Sequence, residues 1–240
     1  MLPSGGEDRR SGSIKEIART YWDVVVRFFQ KPNIILLLVF IFLYRAGEGQ
    51  LVKIGPLFLK AARADHGLGL STAQFGTIYG TLGTAAFIGG TVLGGYFTSW
   101  LGLKRAIIPL IVIMNLPNVA YVYLSTALPA NSALIATALS VEMFGYGFGF
   151  VGVILLMMQE IAPGKYQAAH YAFANSLMNL GLIVPGAVSG YIQKWIGYQK
   201  FFIWVLIAAV PALAMARFIP IGRASTESQP TPTKALVGEP

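Results

Sequence analysis

Apolar residues fall into long runs along this chain, separated by short polar joins. A hydrocarbon core about 30 Å thick is crossed by about 20 residues of helix. Runs of at least that length lie at about 33–59, 72–100, 106–127, 133–160, 168–193 and 199–220. The joins between them carry turn residues: "ARADHGLGLS" (62–71), "LGLKR" (101–105), "LPANS" (128–132), "APGKY" (162–166) and "WIGYQ" (195–199). Gly and Pro punctuate helices in this way. The pattern predicts an all-α integral membrane protein with six transmembrane helices. The first run begins only near Asn33 and is too long for the apolar stretch of a cleavable signal.

The two ends read differently. "SIKEIARTYWDVVVRFF" (13–29) has apolar residues at 14, 17, 21, 25 and 28 with charges on the other face. Ser13 and Glu16 have capping-box spacing, and Pro32 suits the first turn of the following helix. Residues 1–32 therefore read as a cytoplasmic linker with an amphipathic helix on the membrane surface. A docking helix for an external partner is the lesser alternative. Residues 33–220 form the six-span bundle. Residues 221–240 are polar and proline-rich and predict a disordered cytoplasmic tail.

Composition agrees. Hydrophobic residues make up 55% and charged residues 12%, with mean hydropathy +0.62; soluble domains carry about 25% charged residues. The net charge of +8 resembles a nucleic-acid binder's, but its placement explains it otherwise. Arg9, Arg10, Lys15, Arg19, Arg27, Lys31, Lys104, Arg105, Lys165, Arg217, Arg223 and Lys234 fall on one side of the predicted spans; Lys60, Arg63, Lys194 and Lys200 fall on the other. Basic residues accumulate in cytoplasmic segments, so both termini are predicted cytoplasmic and no nucleic-acid partner is implied. There are no cysteines and no cluster with metal-ligand spacing. No Walker, HExxH or nucleophile-elbow motif appears. Neither an enzyme nor a cofactor is indicated.

The candidate chemistry is a set of charges inside the apolar runs. "FLYRAGEGQLVKIG" (42–55) places Arg45, Glu48 and Lys53 beside Gly47 and Gly49. Arg45 is twelve residues past Asn33, hence about 18 Å deep at 1.5 Å per residue. Arg45 and Glu48 share a helix face and can pair. In the fourth run Glu142 lies about 14 Å deep, with Gly145, Gly149 and Gly152 following on a similar face. Ionisable residues at this depth mark substrate or proton pathways by default; a static network that fixes helix packing is the alternative. The first and fourth runs open two three-helix units, and each carries charge and glycines at mid-depth, the pattern of a transporter site in repeated halves. Asn115 and Asn118 bracket Pro117 at a predicted kink. Asn175 and Asn179 share a face of the fifth run, fitting either a helix–helix hydrogen bond or a polar cavity wall. His170 reads as a solvated helix end, and His66 sits in an outer loop. Tyr44, Phe144, Tyr146 and Phe148 suit stacking on sugar rings or plain packing.

The loop "GGYFTSWLGLKR" (Gly94 to Arg105) resembles the loop signature of the major facilitator superfamily. Gly95, Gly102, Lys104 and Arg105 keep that pattern, whereas Ser99 and Trp100 stand where an acidic and a basic residue are usual. Within the superfamily, "FLYRAGEG", "GLGLSTAQFGTIYGTLGTAAFIGGTVLGG", "VEMFGYGFGFVGVILLMMQ" and "YQAAHYAFANSLMNLGLIVPGAVSGYIQKWIGYQKFF" resemble the C-terminal half of the muropeptide permease group. The resemblance covers residues 34 to 220. It implies one 3+3 inverted-repeat half of a major facilitator fold in a bacterial inner membrane. It further implies proton-coupled movement of cell-wall sugar-peptide fragments by alternating access, with Arg45, Glu48 and Glu142 carried over. On this reading the partners are the lipid bilayer, a small-molecule solute, protons, and either the missing N-terminal half or a second copy. A six-span assembly partner or sensor that transports nothing is the other expectation.

Overall fold

The computed structural model describes residues 14–222. The expected Ser13 cap and nearly all of the expected disordered tail lie outside the described residues.

Helix α1 (Ile14–Phe29) turns through a short join at Lys31–Asn33, with Asn33 in the left-handed region at φ 57°, into α2 (Ile34–Lys60). A one-turn 3-10 helix, Arg63–Asp65, follows. Helix α3 (72–101) opens on a capping box: Ser71 Oγ accepts from the Gln74 N–H (3.2 Å) and Gln74 Oε1 accepts from the Ser71 N–H (3.0 Å). Between Gly76 and Gly83 it runs as a π-helix. Gly102, at φ 79°, ends it, a conformation that glycine adopts without strain. Helix α4 (Leu103–Ala127) is interrupted by a 3-10 turn at Leu116–Asn118, the kink predicted around Pro117. Helix α5 (Ser132–Ile161) starts on Asn131, whose side chain accepts from the Ala133 and Leu134 N–H groups. It closes as a π-helix over Met157–Ile161. Helices α6 (167–196) and α7 (198–215) form one helical run broken at Gly197, which lies at φ 79°, ψ 168°.

Four stretches are long and apolar enough to cross a membrane: Ile34–Lys60, Leu103–Ala127, Ser132–Ile161 and Gln167–Met215. The last contains both α6 and α7. Helix α3 occupies the remaining expected span, although its hydrogen bonding changes register in the π segment.

Two core clusters, one at each end of the bundle, show that the rods alternate in direction. The first takes Ile34 and Leu37 from the start of α2, Leu103 and Ile107 from the start of α4, Leu156 and Ile161 from the end of α5, and Ile219 beyond α7. The second takes Phe58 and Leu59 from the end of α2, Tyr121 and Leu124 from the end of α4, Ile135 and Leu139 from the start of α5, and Phe201 and Phe202 from the start of α7. Phe28 of α1 joins the first cluster, as does Ile221. Both ends of the described chain thus lie at the same end of the bundle.

Two seams hold the centre. Helix α2 packs along the α6–α7 run, and α3 packs along α5. Both seams close backbone to backbone. A Cβ on Gly49 would overlap the Leu182 backbone, and one on Gly181 would stand 2.8 Å from the Phe42 carbonyl oxygen. Likewise Gly90 and Gly94 of α3 lie against the Phe144 and Phe148 carbonyls, and Gly147 of α5 lies against Phe87. Small residues let helices approach this closely where lipid gives no hydrophobic drive to associate.

Candidate functional site

Close packing is what brings the intramembrane charges together. Gly145 and Gly149 of α5 press on α4: a Cβ at Gly145 would lie 2.5 Å from the Ile113 carbonyl oxygen, and one at Gly149 2.5 Å from that of Leu110. A Cβ at Gly152 would lie 3.0 Å from the Tyr44 hydroxyl. With that space clear, the Tyr44 hydroxyl donates to the Gly149 carbonyl at 2.6 Å and ties α2 to α5. Gly47 is less constrained, with only ordinary contacts at 3.5 Å or more.

Arg45 crosses the same seam. It is 4% exposed, and its Nη2 donates to the Tyr146 hydroxyl at 3.1 Å. The guanidinium carbon stands 4.9 Å from the centre of the Phe150 ring and 5.4 Å from that of Tyr146. Phe87 of α3 packs on both rings. A cation over aromatic faces is held by their negative π surface. Its Nε and Nη1 find no acceptor.

Glu48 and Glu142 are each 1% exposed, and Oε2 of each has no hydrogen-bond partner. The expected pairing of Arg45 with Glu48 is not made: no ion pair joins Arg45 to either carboxylate among the described residues. The guanidinium has turned to the Tyr146 hydroxyl instead. The carboxylates nonetheless share one electrostatic environment, each charge acting on the other and on the hydroxyls of Tyr79, Tyr121 and Tyr146. Charges interact strongly where water is excluded.

The structure therefore gathers Arg45, Glu48 and Glu142 and leaves the other expected site residues outside. Lys53 is exposed, so of the four expected intramembrane charges only Arg45, Glu48 and Glu142 are buried. Asn175 is half-buried and Asn179 exposed; the Asn179 amide donates to the Asn175 carbonyl on its own helix (3.0 Å) rather than across to a neighbour. In the loop motif, Lys104 and Arg105 are exposed, Gly95 makes one ordinary contact at 3.9 Å, and Gly102 is the left-handed helix stop. His170, read from sequence as a solvated end, is 2% exposed. Its Nε2 lies 3.2 Å from the Val24 carbonyl, with Phe28 and Tyr166 against its ring. The docking of α1 buries it.

Sequence reasoning assigned no role at the site to Phe150, Phe87, Tyr79, Tyr121 or the Gln50–Trp204 hydrogen bond (2.8 Å) that joins α2 to α7. A signal for two partners was present: Tyr146 and Phe150 follow Glu142 at intervals of four and share its face. Asn118 is buried with neither side-chain polar atom partnered, which the kink alone does not foretell.

A bundle of apolar helices around buried ionisable residues defines a helical integral membrane protein. No family model matches the chain. It is 27% identical over 188 residues to the anhydromuropeptide permease of Escherichia coli, an alignment covering 78% of this chain and 37% of that protein. It is 28% identical over 209 residues to a putative transporter, AmpG 1, of Rickettsia felis, covering 87% of this chain and 42% of the relative. The Rickettsia bellii protein of the same name is 29% identical over 181 residues, covering 75% and 42%. The chain is similar to the muropeptide permeases over most of its own length, as its motifs suggested. It spans about two-fifths of the length of these curated relatives. The names are those of permeases and transporters rather than of enzymes.

Proposed function

We propose that the chain is the C-terminal six-helix half of a transporter that moves a small polar solute, a muropeptide or related sugar-peptide, by proton-coupled alternating access. One observation carries the reading: Arg45, Glu48 and Glu142 lie buried together at mid-bundle with no ion pair closed among them. If all three are ionised, the cluster carries one negative charge in excess, and one proton on either carboxylate neutralises it. Uncompensated charge inside a membrane is costly, so a proton and a change in Arg45's partner are natural companions. With Glu48 protonated, Arg45 stays on Tyr146 and holds α2 to α5. With Glu48 ionised, Arg45 swings to it across one helical turn, and that tie opens.

The packing supports two repeated units. Helix α2 opens the first unit and packs on the second helix of the other; α5 opens the second unit and packs on the second helix of the first. Exchanging the units maps one seam onto the other, as an inverted repeat does. The six alternating rods also support six spans. Arg19, Arg27, Lys31, Lys104, Arg105, Lys165 and Arg217 gather toward one end and Lys60, Arg63, Lys194 and Lys200 toward the other, so the first end reads as cytoplasmic and the membrane as the bacterial inner membrane. Lys53, Asn175 and Asn179 lie on exposed flanks of the α2–α6 seam, where a missing N-terminal half, or a second copy, would enclose them with solute.

The test is proton-driven uptake of a labelled anhydromuropeptide into membrane vesicles holding the complete transporter. Glu48→Gln and Glu142→Gln are each expected to reduce uptake by about a hundredfold, the low end of what a positioned proton-transfer group contributes. Unchanged uptake in both variants would sink the coupling mechanism. A stable complex with an unrelated protein and no uptake would favour the assembly-partner reading.

A further inference from the structure

The charged side of α1 does something the transport reading does not use. The helix has three faces. Val24 and Phe28 are buried against the bundle. Tyr21, Trp22 and Phe29 are 69%, 70% and 57% exposed and form an aromatic edge. Arg19, Asp23 and Arg27 lie on the remaining side and face the α5–α6 turn across a cleft of about 490 Å³, lined also by Lys165, Tyr166 and Trp22.

The cleft is a built one. Tyr166 donates to Asp23 at 2.8 Å, and Arg27 Nε donates to both carboxylate oxygens at 2.8 and 2.9 Å. Two residues beyond the helix, Lys31 Nζ donates to the carbonyls of Ile161 and Pro163. These bonds pin α1 to the turn from both ends of the cleft. Asp23 is spent on Arg27 and Tyr166. Arg19 and Lys165 close no ion pair among the described residues; Lys165 is held 4.9 Å over the Tyr166 ring, near enough to Asp23 to feel its charge. The lining carries three cations and one anion, a net charge of +2.

We propose that this cleft binds the phosphodiester headgroup of an acidic phospholipid. Three features select that ligand. The cleft has an excess of positive charge suited to a phosphate. Trp22 forms one wall and is itself on the aromatic edge, and tryptophans of this kind sit at headgroup depth. The cleft lies at the bundle end where exposed basic residues gather, the side that faces anionic lipid. The bound headgroup would bridge α1 to the α5–α6 turn, with Arg19 and Lys165 contacting its phosphate. A free phosphate offers the same charge but no acyl chains to lie beside Tyr21, Trp22 and Phe29.

The test uses the full chain in phosphatidylcholine nanodiscs with and without phosphatidylglycerol, read by melting midpoint and by native mass spectrometry of retained lipid. Phosphatidylglycerol is expected to raise the midpoint and to be retained. The double change Arg19→Gln, Lys165→Gln is expected to weaken retention about a hundredfold, since each charge-assisted hydrogen bond to the phosphate is worth about a tenfold change. Lys104→Gln with Arg105→Gln, exposed at the same end, is expected to leave retention unchanged. Equal loss in both double variants would reduce the site to general surface charge and overturn the proposal. So would full retention by the first variant, or an equal rise in midpoint with inorganic phosphate alone. If the first double variant fails to fold, Lys165→Gln alone, which leaves α1 intact, is read on the same scale, with about a tenfold loss expected and no loss overturning the site.

Discussion

Arg45 is a buried cation whose guanidinium, among the described residues, hydrogen-bonds to a phenol alone. Removing the hydroxyl with Tyr146→Phe should cost about 1–2 kcal/mol, read as a lower melting midpoint in detergent. Arg45→Met should cost more, about 3–5 kcal/mol, because two carboxylates would then face each other without a cation. Glu142→Gln should do the opposite and leave the midpoint unchanged or raise it, since it removes the excess negative charge while keeping the shape. A fall with Glu142→Gln matching that of Arg45→Met would mean that the carboxylate is paired rather than in excess. Arg45, Glu48 and Glu142 were legible in the sequence because a charge deep in an apolar run is conspicuous. The partner that Arg45 took was not, since two choices lay within its reach, Glu48 one turn away on its own helix and Tyr146 on another. Spacing along one helix cannot weigh a contact made across a seam. Lys53 misled for a related reason: depth along a helix says nothing of which side is covered.

Helices meet here on glycines, and side chains added there act on the seams. Gly49→Val and Gly147→Val each place a branched side chain into the backbone of the facing helix. Each should destabilise by about 1–3 kcal/mol or more and split the bundle along one seam, seen as new proteolysis between its helices. Gly47→Ala, with room at 3.5 Å, should be tolerated. At the surface, α1 depends on Asp23, whose carboxyl is held below its ordinary value of 3.8 by the Tyr166 hydroxyl and by Arg27. A depressed carboxylate stabilises above its unfolded value and loses that contribution as pH falls through its folded one. Docking of α1 should therefore be steady at neutral pH and loosen below pH 3.8. Asp23→Asn should remove the acid dependence of Trp22 fluorescence in a chain whose other tryptophans are changed to Phe. The helical runs, the joins at Gly102 and Gly197 and the kink at Pro117 were all readable from residue pattern. The π segments at Gly76–Gly83 and Met157–Ile161 were not, because a π turn keeps the same apolar composition as the α-helix around it.

Across the whole molecule, alternating rods place Lys104 and Arg63 at opposite ends. These 240 residues hold no cysteine, so they add no background to single-cysteine labelling. In intact cells a membrane-impermeant maleimide should label Arg63→Cys and spare Lys104→Cys; in inverted vesicles the pattern should reverse. Labelling of both from one side would contradict the six-span, both-ends-inside arrangement. That the chain is a helical integral membrane protein was the most legible property of the sequence, since run length and composition each report it.

Gly197 has nothing within 4 Å of the place where a side chain would begin, and it sits at φ 79°. By every measure of contact it looks expendable. Its constraint lies wholly in the backbone, since only glycine takes that angle without strain, and the angle sets the direction in which α7 departs from α6. In a deep mutational scan, position 197 should stand out as an intolerant site although a side chain there would begin in open space, a lesion of geometry in a place where no interaction is lost.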